Sequence, residues 1–448
     1  MNIVLLSGGS GKRLWPLSNE IRSKQFIKIF KKLDHDDLSV EEGEQAYESM
    51  VQRIYHQIKS VDPDAIVTIA TSKTQVSSIH NQLGSDVGIS VEPCRRDTFA
   101  AIALAVAYLH DIKGVSEEEA VVVCPVDPYV DESYFECVKN LHDAASNGDK
   151  ALFLMGIQPT YPSEKYGYII PKTYANGSEG WDFTEKPTKE KAEECISQGA
   201  LWNGGVFAFK LKYVLDKSKE LFGTNSYQEL LDSYTGLEKI SFDYAVVEQE
   251  KNIGVLRYFG QWKDLGTWNT LTESMEEMSV GDVRFDDKCE NVHVINELDM
   301  PILAMGLKDV VISASPQGIL VSDKEQSSYI KPYVDSIDQR IMFAEKSWGS
   351  YRVLDVGEDS ATVKVILLPG SRMNYHSHDR RDEVWTVIKG TGHTIIDGVT
   401  QGIKPGDVIT MKAGCKHTVI AETELCLIEV QLGKDISVKD KHKFPFPE

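Results

Sequence analysis

The chain has 448 residues, with 48 Lys+Arg against 68 Asp+Glu and a formal net charge of −20 at pH 7. With 42% hydrophobic and 26% charged residues it reads as an ordinary globular protein, which excludes a wholly disordered or collagen-like chain. At about 100–200 residues per domain that length gives roughly two to four domains. The acidic balance argues against a nucleic-acid partner or an anionic membrane surface, because both need a basic footprint.

In the first 275 residues short apolar runs alternate with amphipathic stretches. Strands are predicted at 3–7, 65–70, 120–125, 151–157, 205–210 and 254–259, and helices at 39–58 and 98–109, the second capped by Asp97 or Thr98. This alternation predicts an α/β domain with a Rossmann-like, mostly parallel sheet, whose ligands sit beyond the carboxyl ends of the strands. Short β segments follow at 291–295, 301–304, 309–313 and 318–322. Evenly spaced strands then run at 351–356, 361–368, 383–389, 392–396, 407–411 and 425–431, the pattern of a small β-barrel. The expected domains are therefore 1–280, a β connector at 281–340, and a barrel at 341–448 with a peripheral charged tail from 434.

The seven cysteines are scattered and form no C-x-x-C pair, which argues against a thiolate zinc site or a disulfide framework. The start lacks the basic lead and long apolar core of a signal peptide. The longest apolar run, 99–109, is too short to span a bilayer. A soluble cytoplasmic protein is expected.

Ser7-Gly8-Gly9-Ser10-Gly11-Lys12-Arg13-Leu14 follows the first predicted strand. It is no Walker A loop, since Leu6 stands where the first glycine belongs and Arg13 where Ser or Thr belongs. It is no dinucleotide fingerprint either, because Leu14 replaces the third glycine. Glycines there let backbone N–H groups approach a phosphate chain, while Lys12, Arg13 and Lys24 can neutralise its charge. The alternative is a tight strand-to-helix turn with solvated basic residues.

The stretch from Ser7 to Ser18 with Ser23-Lys24-Gln25-Phe26 closely resembles the signature of sugar-1-phosphate nucleotidyltransferases, most of all the mannose-1-phosphate guanylyltransferases. Further similar pieces follow in order: Glu92-Pro93 with Arg96-Asp97-Thr98, Pro125-Val126-Asp127, Tyr166-Gly167-Tyr168, Glu185-Lys186-Pro187, Trp202-Asn203-Gly204-Gly205, Asp243-Tyr244-Ala245 and Trp262-Lys263-Asp264-Leu265-Gly266. Asp97 stands where the family has Asn, and Pro128 where a His is common.

The resemblance implies transfer of a nucleotidyl group from GTP to mannose 1-phosphate, with release of diphosphate. It places Ser7, Gly8, Gly9, Gly11, Lys12, Arg13, Glu92, Arg96 and Asp97 on the nucleotide. Gly167, Glu185, Lys186 and Asn203 fall on the sugar phosphate. Arg13 and Lys24 serve the reacting phosphates, and Asp127 and Asp264 hold Mg²⁺ or Mn²⁺. Positioning and charge neutralisation carry most of such a transfer between polyanions, and paired carboxylates suit Mg²⁺ shared with phosphate oxygens. Trp202 and Trp268 read as packing. Asp243 reads equally as a helix N-cap before residues 244–248 or a ligand contact.

In the second half, Gly370-x5-His376-x-His378-x4-Glu383-x6-Gly390 resembles the first cupin motif. Gly406-x5-Lys412-x-Gly414-x2-His417 resembles the second, with Lys412 for Pro and Ala421 for Asn. Imidazoles two apart on a strand face one side, so His376, His378, Glu383 and His417 are the expected ligands of a transition metal such as Zn²⁺. In many relatives such a C-terminal cupin is a type II phosphomannose isomerase. Here Val384 and Thr418 stand where that enzyme has His and Arg, which weakens an isomerase reading. The alternatives for the cupin are a structural element, a homodimer surface or a binding module. For the whole chain they are a bifunctional enzyme or a catalytically silent sugar-nucleotide sensor.

Overall fold

The computed structural model describes all residues except 9–11, 20, 33–46, 174–178, 338–339, 435, 437–439 and 448. The chain divides into two units, Met1–Gly11 with Ser23–Glu276 and Lys12–Arg22 with Glu277–Glu448.

The first unit is built on a nine-stranded sheet of β1 (Asn2–Ser7), β2 (Ile66–Ser72), β3 (Gly88–Glu92), β4 (Ala120–Pro125), β5 (Leu152–Ile157), β6 (Tyr168–Thr173), β7 (Glu179–Thr184), β8 (Leu201–Lys210) and β9 (Ile253–Tyr258). Its order is β7-β6-β8-β4-β1-β2-β3, with β5 joining β8 to β9. β4, β1, β2 and β3 run parallel, while β8 is antiparallel to β4, β5 and β6. The sheet is thus mixed, with a parallel half.

In that half Ser7 lies opposite Thr71, Leu6 opposite Pro125, and Ser72 opposite Glu92. The loops leaving these strands therefore gather at one carboxyl edge. The helix Asp97–Asp111 packs on the sheet with every residue from Phe99 to Ala107 buried. An all-round apolar helix of this kind belongs inside a core, and each buried Phe, Ile or Leu in it contributes about 1.5–3 kcal/mol.

Several sequence expectations change here. Tyr47–Ser49 is a strand paired with Lys28–Lys31, and the helix is Met50–Val61, so the described part of the predicted 39–58 helix is strand over 47–49 and helix from Met50. Residues 39–46 lie outside the described residues. The polar Ser49 ends the strand and starts the helix, with its side chain and Gln52 forming a reciprocal capping box. Neither Asp97 nor Thr98 caps the next helix. Arg96 holds the cap position, Asp97 has a φ of 66°, and the Thr98 hydroxyl accepts from the Phe242 N–H instead.

In the second unit, short parallel pairs stack between residues 279 and 323: His293–Asn296 on Val310–Ser315, and Val283–Phe285 on Ile302–Ala304. The segment from Lys12 to Arg22 is fastened to them. Arg22 makes a two-pronged ion pair with Glu297 at 2.7 and 2.8 Å. The Pro16 carbonyl accepts from the Ser315 hydroxyl at 2.9 Å. A Cβ on Gly318, whose φ is 156°, would meet the Trp15 ring at 2.5 Å, so glycine is required there.

The barrel has two antiparallel sheets. One orders Phe343–Lys346, Gly349–Val356, Ser360–Leu367, Leu425–Leu432, Asp382–Lys389 and Val408–Met411. The other orders Val399–Ile403, Gly392–Ile396, His417–Ala421, His376–Ser377 and His442–Lys443. The last strand corrects the expectation of a peripheral tail. His442–Lys443 pairs with the strand carrying His376, and Asp440 is buried.

Candidate active site and histidine centre

At the carboxyl edge of the first unit, Lys24 starts a short 3-10 turn. Its Nζ lies 2.9 Å from Asp127 Oδ2 and 3.6 Å from Asp264 Oδ1, and donates to the Leu265 carbonyl at 3.3 Å. The two aspartates, far apart in the chain, meet because Pro128–Val130 pairs antiparallel with Trp262–Asp264, with Asp264 opposite Pro128. Burial alone would lower the Lys24 pKa, but Asp127 and Asp264 outweigh it and raise it. Two hard-oxygen carboxylates that converge on one cation form a donor set that fits Mg²⁺.

Beneath this lies a buried polar network that the sequence did not announce. Gln75 Nε2 donates to the Ser23 hydroxyl at 2.7 Å, and Gln25 Nε2 donates to the Ser7 hydroxyl at 2.9 Å. Gln75 Oε1 accepts from Ser7 at 3.1 Å and Thr71 at 2.8 Å. The network joins the ends of β1 and β2 to the residue before Lys24. It also occupies the Ser7 side chain, expected on the nucleotide, inside the protein. Gly8 is exposed, and Gly9 and Gly11 lie outside the described residues.

The other nucleotide-side residues divide. In the first unit, Glu92 accepts from the Tyr234 hydroxyl at 2.7 Å, and burial raises its pKa. Arg96 Nε is buried with no hydrogen-bond partner among the described residues, and Asp97 is exposed and accepts from the Thr98 N–H. In the second unit, Lys12 pairs with Asp335 at 2.9 Å, and Arg13 is exposed beside buried Leu14.

Gly167, Glu185, Asn203 and Asp243 together line one small open cleft. Asn203 Nδ2 donates to Asp243 Oδ1 at 2.7 Å, and the Gly205 N–H donates to Asn203 Oδ1 at 3.1 Å. Asp243 opens a π-helical turn, Asp243–Val247, and its carboxylate faces the cleft, so it is not an N-cap. Burial first, and the Glu185 charge second, push it up to about 6. Lys186 is ion-paired with Glu185, which raises its own pKa. A Cβ on Gly167 would lie 2.4 Å from Glu185 Oε2, so this glycine gives the carboxylate its place. Trp202 packs edge-on to Tyr161 and Tyr166, and Trp268 is fully buried, both as expected of packing residues.

In the barrel the alternation of a strand decides which side chains point inward. Glu383, Trp385 and Val387 share the buried face of Asp382–Lys389, and Val384 takes the opposite face. His376 lies directly across from His417. Ligand atoms of His376, His378 and His417 all lie within 4.8 Å of one another. Each ring turns Nδ1 to a backbone carbonyl, of Asn374, Asp440 and Cys415 respectively. A carbonyl only accepts, so Nδ1 carries the proton and Nε2 is the lone pair, the tautomer a metal ligand needs. Burial pushes His376 down to about 2 and His378 to about 4, keeping both neutral. Three nitrogen donors held this way fit a transition-metal ion.

Glu383 is less free. Its Oε1 accepts from Arg381 Nε at 2.9 Å, and Arg381 was not singled out in the sequence. Thr418 donates to the Met373 carbonyl and is fully buried.

The family described as Nucleotidyl transferase matches residues 2–280, and the one described as Cupin domain matches 363–430. The chain is 27% identical over 481 residues to a mannose-1-phosphate guanylyltransferase of Escherichia coli K12, covering 98% of this chain and 97% of that one. It is 27% identical over 496 residues to the Sinorhizobium fredii protein of that name, covering 99% and 92%. With the xanthan biosynthesis protein XanB of Xanthomonas campestris strain B100 it shares 26% identity, covering 98% and 97%. Among solved structures, one titled mannose-1-phosphate geranyltransferase, from Thermus thermophilus, matches with a TM-score of 0.60 at 25% identity, covering 75% of this chain and 98% of that one. No helix among the described residues is long and apolar enough to cross a membrane.

Proposed function

The chain belongs to the nucleotidyl transferase family and carries a cupin domain behind that region, and on that footing we propose that it is a mannose-1-phosphate guanylyltransferase. It converts GTP and α-D-mannose 1-phosphate to GDP-mannose and diphosphate, a supply step for polysaccharide synthesis. The observation that carries this reading is the convergence of Lys24, Asp127 and Asp264 at the carboxyl edge of the parallel half-sheet.

A phosphate oxygen of the sugar phosphate attacks the α-phosphorus of GTP. The bond from that phosphorus to the bridging oxygen breaks, and diphosphate leaves with the electron pair. Asp127 and Asp264 would hold Mg²⁺ (or Mn²⁺), which supplies charge neutralisation when bound. Lys24 balances the reacting phosphates, Arg13 serves the leaving group, and Gly8, Gly9, Gly11 and Lys12 are assigned to the nucleotide. Glu92, Arg96 and Asp97 attend the nucleoside. The unpartnered Arg96 Nε supports a ligand there, since a buried donor left unpaired is costly. Gly167, Glu185, Lys186 and Asn203 receive the sugar phosphate, and Asp243 joins them as a further hydrogen-bonding group. In the cupin, His376, His378 and His417 would hold a transition metal such as Zn²⁺, with Glu383 beside them.

The test is diphosphate release by the full chain with Mg²⁺ across four nucleoside triphosphates and several hexose 1-phosphates. Release confined to GTP with mannose 1-phosphate is expected. Release with another pair overturns the substrate assignment, and silence from folded protein overturns the transferase reading.

A further inference from the structure

The histidine centre of the barrel already holds a cation of the protein's own. Arg381 is buried, with 9% of its surface exposed, and lies three residues after His378 and two before Glu383. Its Nη2 is 2.9 Å from His378 Nε2, and its Nε donates to Glu383 Oε1 at 2.9 Å. Which histidine nitrogen faces the guanidinium follows from the opposite side of the ring. His378 Nδ1 meets the carbonyl oxygen of Asp440, which can only accept, so Nδ1 carries the ring proton. His378 Nε2 lies 3.2 Å from Glu383 Oε1, as His417 Nε2 does from Oε2, but with the ring proton on Nδ1 it is a lone pair, and the guanidinium at 2.9 Å donates into it.

His376 and His417 differ. Their Nδ1 protons go to Asn374 and Cys415. His417 Nε2 lies 3.2 Å from Glu383 Oε2 but makes no hydrogen bond among the described residues. Of the three rings, His378 is the one whose Nε2 meets the guanidinium.

A guanidinium does not deprotonate in a protein, so it cannot yield that lone pair by losing its charge. A metal ion needs the same lone pair, and two cations cannot share it. We propose that Arg381 competes with a divalent transition metal for His378, so that metal enters the three-histidine centre only as the guanidinium swings off the ring. The displaced arginine keeps its bond to Glu383 Oε1, which anchors it, while Glu383 Oε2 stays 3.2 Å from His417 Nε2. Apparent metal affinity is then the intrinsic affinity reduced by the fraction of molecules in which Arg381 stands aside. The buried Asp440 belongs to this device. Its carbonyl sets the His378 tautomer, and its carboxylate accepts from the Asp379 and Arg380 N–H groups at 3.0 and 3.1 Å, fixing the turn that aims Arg381.

This inference rests on the three-histidine metal reading, and one titration separates the two. The metal-free full chain is titrated with Co²⁺ in excess Mg²⁺, following the visible d–d absorption that a nitrogen-rich cobalt site gives. Arg381→Met is expected to bind Co²⁺ at least about tenfold more tightly than the natural chain. Binding by Arg381→Met alone supports the inference further. Equal or weaker binding by the variant overturns it and leaves the metal reading standing, whereas no binding by either chain overturns both.

Should Arg381→Met fail to fold, a second series with Arg381 in place decides. His376→Ala and His417→Ala are expected to weaken Co²⁺ binding about tenfold more than His378→Ala, because His378 must first be won from the arginine. Three equal losses overturn the inference.

Discussion

Asp264 reaches the ammonium of Lys24 at 3.6 Å and Asp127 reaches it at 2.9 Å, so one lysine joins two carboxylates from distant parts of the chain. The two-stranded pairing of Pro128–Val130 with Trp262–Asp264 makes that meeting possible. Asp264→Asn keeps the pairing and removes one charge. The Mg²⁺ concentration for half-maximal turnover is expected to rise about tenfold or more, since a hard cation prefers charged oxygen. An unchanged Mg²⁺ titration would remove Asp264 from the metal's ligands.

Gly167 abuts Glu185 so closely that a methyl group would displace the carboxylate. Gly167→Ala is expected to raise KM for mannose 1-phosphate about tenfold, the equivalent of about 1.4 kcal/mol, with KM for GTP unchanged. Steady-state kinetics with each substrate varied in turn checks it. A rise confined to GTP would place the nucleotide, not the sugar, against Glu185.

Asp243 titrates in the folded protein at about 6, against an ordinary value of 3.8. Between those values the folded state binds more protons than the unfolded one, so stability falls as pH rises through that window. Asparagine has the same shape and no charge. Asp243→Asn is expected to match the natural chain in Tm near pH 4 and to exceed it from about pH 6 upward. Melting curves that stay parallel across the range would show that Asp243 is not held up by burial and Glu185.

Gln75 sits in the middle of the buried network that joins Ser7 and Thr71 to Ser23. Gln75→Leu strips Ser7 and Thr71 of the acceptor they share, at about 1–3 kcal/mol for each buried group left unpaired. Urea unfolding should show a lower midpoint, and turnover should fall further than stability alone explains, because Ser23 immediately precedes Lys24. A neutral effect on both would mean that Gln25 holds the turn unaided.

Much of this was legible in the linear chain. Short apolar runs marked the strands β1, β2, β4, β5 and β9, and the helix expected at 98–109 runs from Asp97 to Asp111, buried all round where an amphipathic face was expected. Ordered glycine, lysine and aspartate motifs marked Lys24, Asp127 and Asp264, and H-x-H on a strand marked the histidine centre.

What only the tertiary structure decided has a common cause: it depends on which distant segments meet. β8 begins at Leu201, not 205, because its pairing with β5 shifts register between Asn203 and Phe207, and the bulge absorbs the pair Gly204-Gly205. Asp243 is a cleft carboxylate and not a cap, because Asn203 from that same irregular strand reaches it. Arg381 and the chain's tail have ordinary surface composition. They became part of the histidine centre because Asp440 and the strand His442–Lys443 fold back onto His376–Ser377 and His378. Local sequence sets the type and facing of each element. Which buried donor finds which acceptor is set by long-range pairing, and that is where the chemistry of this protein lies.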